Sequence, residues 1–229
     1  MNQTNNSIII AGASGSVGIE TTLALLKKGM NVILVTSSSE NISRLNDEVS
    51  EYRSQVRLIL EDVSDYEAMK SMQETLDAEG VNVVGFVNLI GGWLSTPIGD
   101  IVSSDVDWLN QRLVGTVASS INAFASELRS KSGIYVLVSS PAAVVPLNGS
   151  AAYSASKAAA ESWVNSLASY FEGTEARTNI LVVHSLVSDK ERSKYPERKF
   201  THAIDIKFLA DRISGLWDQP LKNGSRTCL

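Results

Sequence analysis

The sequence predicts one α/β domain built on a doubly wound parallel sheet. Three observations carry that prediction. Apolar runs rich in β-branched residues alternate with helical stretches along the chain. Those runs are apolar almost throughout rather than at every second position, as expected of strands covered on both faces. A glycine-rich turn, Gly12-Ala13-Ser14-Gly15-Ser16-Val17-Gly18, sits directly between the first run and the first helix. No internal repeat, low-complexity tract or linker divides the 229 residues, a length suited to one large domain.

Taken in order, strands are expected at residues 7–11, 31–36, 56–60, 83–88, 134–139, 179–183 and 225–229, about seven in all, joined by right-handed crossovers. Helices are expected near 17–28, 41–52, 65–79, 104–129, 151–171 and 205–217. Gly29 after Lys27-Lys28 marks the end of the first helix. Ser64 or Asp65 can cap the third, and Gly80 ends it.

Composition narrows the function classes. Apolar residues make up 44% of the chain, ordinary for a packed globular protein. No run approaches the roughly 18 apolar residues that span a bilayer. The polar start, Met1-Asn2-Gln3-Thr4-Asn5-Asn6, does not read as a secretory signal. The single cysteine, Cys228, leaves no internal disulfide, so a reducing, cytoplasmic setting is expected. A net charge of −5 argues against a nucleic-acid or membrane partner. With only His184, His202 and one cysteine, no metal site is expected.

The glycine turn has the context that a dinucleotide requires. Gly12, Gly15 and Gly18 permit a tight turn and close approach of backbone to a pyrophosphate, and Ser14, Ser16 and Val17 lie within it. The helix that follows supplies unpaired N–H groups and the positive end of its dipole. An ordinary strand–helix turn is the competing reading. The second strand ends Val35-Thr36-Ser37-Ser38-Ser39, with no carboxylate to hold the ribose 2′-hydroxyl of NAD. The hydroxyls of Thr36 and Ser37, with Arg44 nearby, suit a 2′-phosphate, so the reading leans to NADP over NAD. Asp62, ahead of Val63, reads equally as an adenine contact and as a helix cap or solvated acid. Asn88-Leu89-Ile90-Gly91-Gly92 closes the fourth strand, where paired glycines suit either a close ligand or only a turn.

Tyr153 and Lys157 stand four apart on a predicted helix and share a face. The ammonium can stabilise a tyrosinate and draw the phenol pKa down from about 10 towards neutral pH. Ser140, thirteen residues upstream at a strand end, can hold a carbonyl oxygen against that phenol. The set reads as a proton-transfer site beside a hydride source; a chance pair on an amphipathic helix is the bland reading.

Together these residues resemble the short-chain dehydrogenase/reductase family, in order and over essentially the whole chain. Gly12, Gly15 and Gly18 match its glycine turn, Asp62-Val63 its adenine contact, Asn88-x-x-Gly91 its Asn-Asn-Ala-Gly stretch, and Ser140, Tyr153 and Lys157 its catalytic residues. The resemblance implies a Rossmann-type domain spanning residues 1–229, with residues 185–204 as a substrate loop or lid. It implies an NAD(P)-dependent oxidoreductase that transfers hydride between the nicotinamide and a small carbonyl or alcohol substrate. Tyr153 would be the general acid or base, Ser140 would hold the substrate oxygen, and Lys157 would also hold the nicotinamide ribose. Members commonly pair two long helices across a two-fold axis. Small residues at Ala155, Ala159, Ser162 and Ser166 suit that, so a homodimer or homotetramer is expected.

Three departures stand out. Arg112 occupies the place of the family's relay asparagine, either as a cation near the active site or as a surface or interface residue. Ser185-Leu186 replaces the Pro-Gly that touches the nicotinamide. The last strand ends at Cys228-Leu229 without the usual Gly-Gly segment. Gly91-Gly92-Trp93 and residues 192–196 resemble a dihydropteridine-reductase-like side branch, with Trp93 as a substrate wall or a packing residue. Two other functions follow as alternatives: reduction of a pterin-like C=N bond, or a non-catalytic dinucleotide-binding regulator or scaffold. His184 reads as structural.

Overall fold

The computed structural model describes residues 6–219 and 221–229. Its strands are β1 (Asn6–Ala11), β2 (Asn31–Thr36), β3 (Val56–Leu60), β4 (Asn82–Asn88), β5 (Ile134–Ser139), β6 (Arg177–Val182), β7 (Ser185–Val187), β8 (Ala203–Asp205) and β9 (Ser225–Cys228). Its α-helices are α1 (Ser16–Lys27), α2 (Ser39–Glu48), α3 (Tyr66–Ala78), α4 (Ser103–Leu109), α5 (Thr116–Ser130), α6 (Ala151–Tyr170), α7 (Asp189–Lys194) and α8 (Ile206–Ser214). Seven strands form one sheet in the order β3-β2-β1-β4-β5-β6-β9, with every pairing parallel. The chain winds outward from β1 on one side and from β4 on the other. A crevice therefore opens past the carboxyl ends of these two neighbours.

The two-residue period of the strands builds two cores. Ile9, Ile33, Phe86, Tyr135 and Leu137 face Met69, Leu76, Phe124, Leu128 and Val164 from α3, α5 and α6. Ile8, Ile10, Leu34, Val87 and Val136 face Leu25, Leu26, Leu45, Leu209 and Ile213 from α1, α2 and α8. Both strand faces are consumed, which is why the runs read as continuously apolar. Asp65 caps α3, accepting from the Glu67 and Ala68 amides at 2.9 and 3.0 Å.

Two local features depart from the sequence reading. The helix expected over 104–129 is interrupted by a π-helical stretch, Asn110–Gly115, between α4 and α5. There the Thr116 hydroxyl donates to the Arg112 carbonyl at 2.8 Å. The segment expected as a loop or lid carries real structure: β7 and β8 pair in parallel, with α7 between them. Ser188 and Glu191 close a reciprocal capping box at the start of α7. Three-residue strands carry no readable period, so sequence patterning passes over them.

Candidate active site

At the crevice, Gly12 adopts φ +80°, and a Cβ there would lie 2.9 Å from the Leu89 carbonyl carbon. The turn thus rests directly on the end of β4. A Cβ on Gly18 would come within 2.4 Å of the Gly12 carbonyl oxygen and 2.6 Å of the Ala13 Cα, so only glycine lets α1 open this tightly against the turn. No side chain caps α1 at Gly15, and its first turn carries no acid. The positive helix end is therefore left for an external anion, and these features fit the pyrophosphate of a dinucleotide. Gly18→Ala forces backbone to shift. It is expected to lower the melting temperature by several degrees and to weaken nucleotide binding at least tenfold, checked by thermal melting and nucleotide titration.

Two cavities meet here. One, of about 340 Å³, lies past β1, β2 and β3 and is lined by Gly12, Ser14, Thr36, Ser37, Asp62 and Val63. The other, of about 210 Å³, is lined by Val17, Gly91, Tyr153, Lys157, His184 and Ser185. Ile90 lines both, so they run together as one elongated cleft.

The second cavity is lined by Tyr153 and Lys157, two of the three candidate proton-transfer residues; Ser140 lines neither cavity. Tyr153 lies in the first turn of α6, with Lys157 one turn on. The Lys157 ammonium donates to the Val138 carbonyl at 3.0 Å, tying α6 to β5. Ser140 follows β5; its hydroxyl accepts from the Ala142 amide at 3.3 Å and also hydrogen-bonds the Tyr153 phenol. Burial raises the phenol pKa above its ordinary value, and the Ser140 bond opposes that rise only in part. Burial lowers Lys157 to about 8, opposed by the charge of Glu161. The sequence suggests a phenol pulled down by its lysine; in the structure burial sets the direction, opposed only by the Ser140 bond. The phenol is protonated at neutral pH, the form that can donate to a developing alkoxide.

The model of the family described as short chain dehydrogenase matches residues 6–197. The chain belongs to the short-chain dehydrogenase family. A very-long-chain 3-oxoacyl-CoA reductase of Aspergillus oryzae is 28% identical over 174 residues, covering 72% of this chain and 49% of that protein. The chain thus spans about half the length of the relatives it matches. Among solved structures, ElxO with NADP bound superposes with a TM-score of 0.87 at 16% identity, covering 97% of this chain and 96% of ElxO. NAD⁺-bound xylitol dehydrogenase gives 0.85 at 16% identity, covering 100% and 99%. At such identity the likeness is one of fold.

Within this short-chain dehydrogenase, the residues singled out from sequence fall into two groups. Gly12, Ser14, Thr36, Ser37, Asp62 and Val63 line the larger cavity, and Val17, Gly91, Tyr153 and Lys157 the smaller. Gly15 and Ser16 form the start of α1 rather than a cavity wall. Asp62 turns the loop after β3, one oxygen accepting the Ser64 amide and hydroxyl, each at 2.8 Å. Asn88 is buried beneath the cleft: its amide donates to Thr116 at 3.3 Å and its oxygen accepts the Ile90 amide at 3.1 Å. It shapes the loop that Ile90 and Gly91 present to the cleft.

Arg112 faces the larger cavity. Its Nε donates to the Gly91 carbonyl, and its guanidinium lies 5.3 Å from the Trp108 ring centroid. Trp108, which sequence reading missed, lines that cavity, whereas Trp93 is 62% exposed and lines neither. Trp108 gives no sequence signal, because the break at Asn110–Gly115 that helps aim this helix is itself silent. His184 lines the smaller cavity, with the His202 ring 6.0 Å away. Arg44 reaches from α2 to the Ser14 carbonyl, which sets its guanidinium over the glycine turn.

Proposed function

We propose that this chain binds a nicotinamide dinucleotide and moves hydride between it and a carbonyl/alcohol pair, with Tyr153 exchanging the proton. One observation carries the reading: Tyr153 and Lys157 line a cavity, with Ser140 bonded to the Tyr153 phenol, that opens into a glycine-walled cleft with an uncapped helix end. When bound, the cofactor supplies or accepts the hydride. The turn Gly12–Gly18 and the start of α1 would hold its pyrophosphate, Asp62 and Val63 its adenosine, and Lys157 its nicotinamide ribose. Ser140 donates to the substrate oxygen. In reduction, Tyr153 would pass its proton to the substrate oxygen as the carbonyl carbon is reduced, and solvent would then return a proton to the tyrosinate. Oxidation uses the tyrosinate as base, so the raised phenol pKa favours reduction at neutral pH and oxidation as pH rises.

NADP is the preferred cofactor in this reading. β2 ends without a carboxylate, Thr36 and Ser37 line the cavity, and Arg44 stands over the turn beside them. Arg44→Ala is expected to weaken NADPH binding by about tenfold or more while leaving NADH nearly unchanged. Equal loss for both would remove Arg44 from the 2′-phosphate. The relatives' name makes a 3-oxoacyl thioester the first carbonyl substrate to try. A homodimer or homotetramer belongs to the same reading, because Ala155, Ala159, Ser162 and Ser166 on α6 are exposed together with Trp163; light scattering measures the mass. Cys228 is free and exposed, in keeping with a cytoplasmic protein. No helix among the described residues is long and apolar enough to cross a membrane.

The deciding experiment is titration of NADPH and NADH into the purified protein, followed by nicotinamide fluorescence, and then turnover with a carbonyl panel. Micromolar binding and carbonyl-dependent oxidation of the cofactor are expected. Binding without turnover on any carbonyl would leave a dinucleotide-binding regulator, and no binding would remove the cofactor reading.

A further inference from the structure

Behind the proton-transfer residues lies a charged cluster that the proposed mechanism does not use. Glu161 follows Lys157 by one turn of α6, and both are 6% exposed. One Glu161 oxygen accepts the Ser139 hydroxyl at 2.6 Å and Arg226 Nη2 at 3.3 Å; the other accepts Arg226 Nε at 2.8 Å. Arg226 comes from β9, 65 residues further along the chain. Ser139 is the last residue of β5, directly before Ser140. The carboxylate therefore joins three elements, α6, β5 and β9, immediately behind the lysine and the serine of the site.

Burying an ion pair costs several kcal/mol in desolvation, and well-packed apolar residues commonly do as well for stability. Every hydrogen bond that Glu161 makes bears on the position of either α6 or Ser139. Its charge also acts on the buried ammonium one turn away. We infer that Glu161, held and partly neutralised by Arg226, is a positioning residue that keeps Lys157 cationic and in place from behind, and that β9 thereby supports the proton-transfer site. The inference rests on the function proposed above for Lys157.

Few titratable or charged groups among the described residues face Lys157. On α6 they are Tyr153 and Glu161. From the turn after β6 it is His184, which lines the same cavity. From β9 it is Arg226, behind the carboxylate. β5 presents the Val138 carbonyl and the hydroxyls of Ser139 and Ser140, and the end of β4 presents no titratable group to that cavity.

The two halves of the pair then act on the lysine with opposite sign. Glu161→Gln removes the negative charge, so Lys157 loses its proton at lower pH. Arg226→Gln leaves the carboxylate less neutralised, so Lys157 keeps its proton to higher pH. A strut that only holds the fold would give no such opposition. The test is a pH titration of the Lys157 side chain by NMR, in cofactor-free protein carrying ¹³C-labelled lysine, with the resonance assigned from Lys157→Met. The midpoint near 8 is expected to fall by about one pH unit in Glu161→Gln and to rise in Arg226→Gln. The alkaline limb of turnover is expected to follow both. Shifts in the same direction, or none, would overturn the inference. If Glu161→Gln does not fold, Arg226→Gln alone decides: a rise supports the inference, and a fall or no change overturns it. Because the titration needs neither cofactor nor turnover, opposed shifts in a protein that reduces no carbonyl would sink the functional reading and leave the coupling standing.

Discussion

Tyr153→Phe is expected to lower carbonyl-reducing turnover by about 10²–10⁴-fold, the range that a positioned proton donor contributes. Cofactor affinity should stay within about twofold, because the ring and its packing survive and only the hydroxyl is lost. The phenol is half-buried and bonded to Ser140, and burial holds it protonated at neutral pH. The hydroxyl is thus already in its proton-donating form at the cavity. Steady-state rates alongside a nicotinamide-fluorescence titration separate the two effects. Retention of more than a few per cent of the turnover would remove Tyr153 from proton transfer.

Lys157→Met is expected to move activity and stability in opposite directions. Activity falls by about 10²-fold or more, through loss of the cation and of the ribose contact. Stability rises. The lysine is pushed from 10.5 to about 8 mainly by burial, a penalty on the charged form of about 3 kcal/mol at neutral pH. Methionine fills a similar volume without that penalty. It forfeits the bond to the Val138 carbonyl, worth about 1 kcal/mol, so a net gain of about 1–2 kcal/mol is expected at pH 7. The sign then changes with pH in a definite way. Between about pH 8 and 10.5 the unfolded chain keeps a proton that the folded chain has released, so wild-type stability rises there. The gap between the two proteins should close across that window. Chemical denaturation of both proteins at pH 7 and pH 10 measures it; a methionine protein less stable at pH 7 would show that the lysine is not desolvated as the structure has it. The trade is familiar at functional sites, where a strained or charged group is kept for chemistry at the expense of stability.

Much of this fold was legible because its signals are local. β-branched apolar runs and helical periodicity mark each of the seven strands of the main sheet within a few residues, and β5 matches the expected range at both ends. Gly12 and Gly18 declared the turn, since the backbone there admits little else. Tyr153 and Lys157 declared a shared helix face through spacing alone. The lid was harder. Residues 185–204 read as mixed charge, and the β7–β8 pair inside them is too short to leave a period.

The site was legible only on one side. Glu161 had a readable position, one turn after Lys157 on the buried side of an apolar helix, and an acid there is a signal in itself. Its partner was not readable, because Arg226 sits in a short terminal strand whose neighbour is fixed by sheet order. Arg112 could be singled out by comparison with the family pattern, yet its direction depends on the π-helical stretch and on Trp108.

By itself, then, the sequence determined the strand–helix order, the glycine turn, the absence of a carboxylate at the end of β2, and the pairing of phenol and ammonium on one helix. Each depends on residues within a turn or two of one another. Only the tertiary structure decided that Arg44 crosses to Ser14, that Arg112 and Trp108 wall the cleft, that Arg226 meets Glu161, and that burial raises the pKa of Tyr153. Those outcomes depend on which surfaces meet and how much water is excluded when they do, and neither quantity is written in any one stretch of the chain.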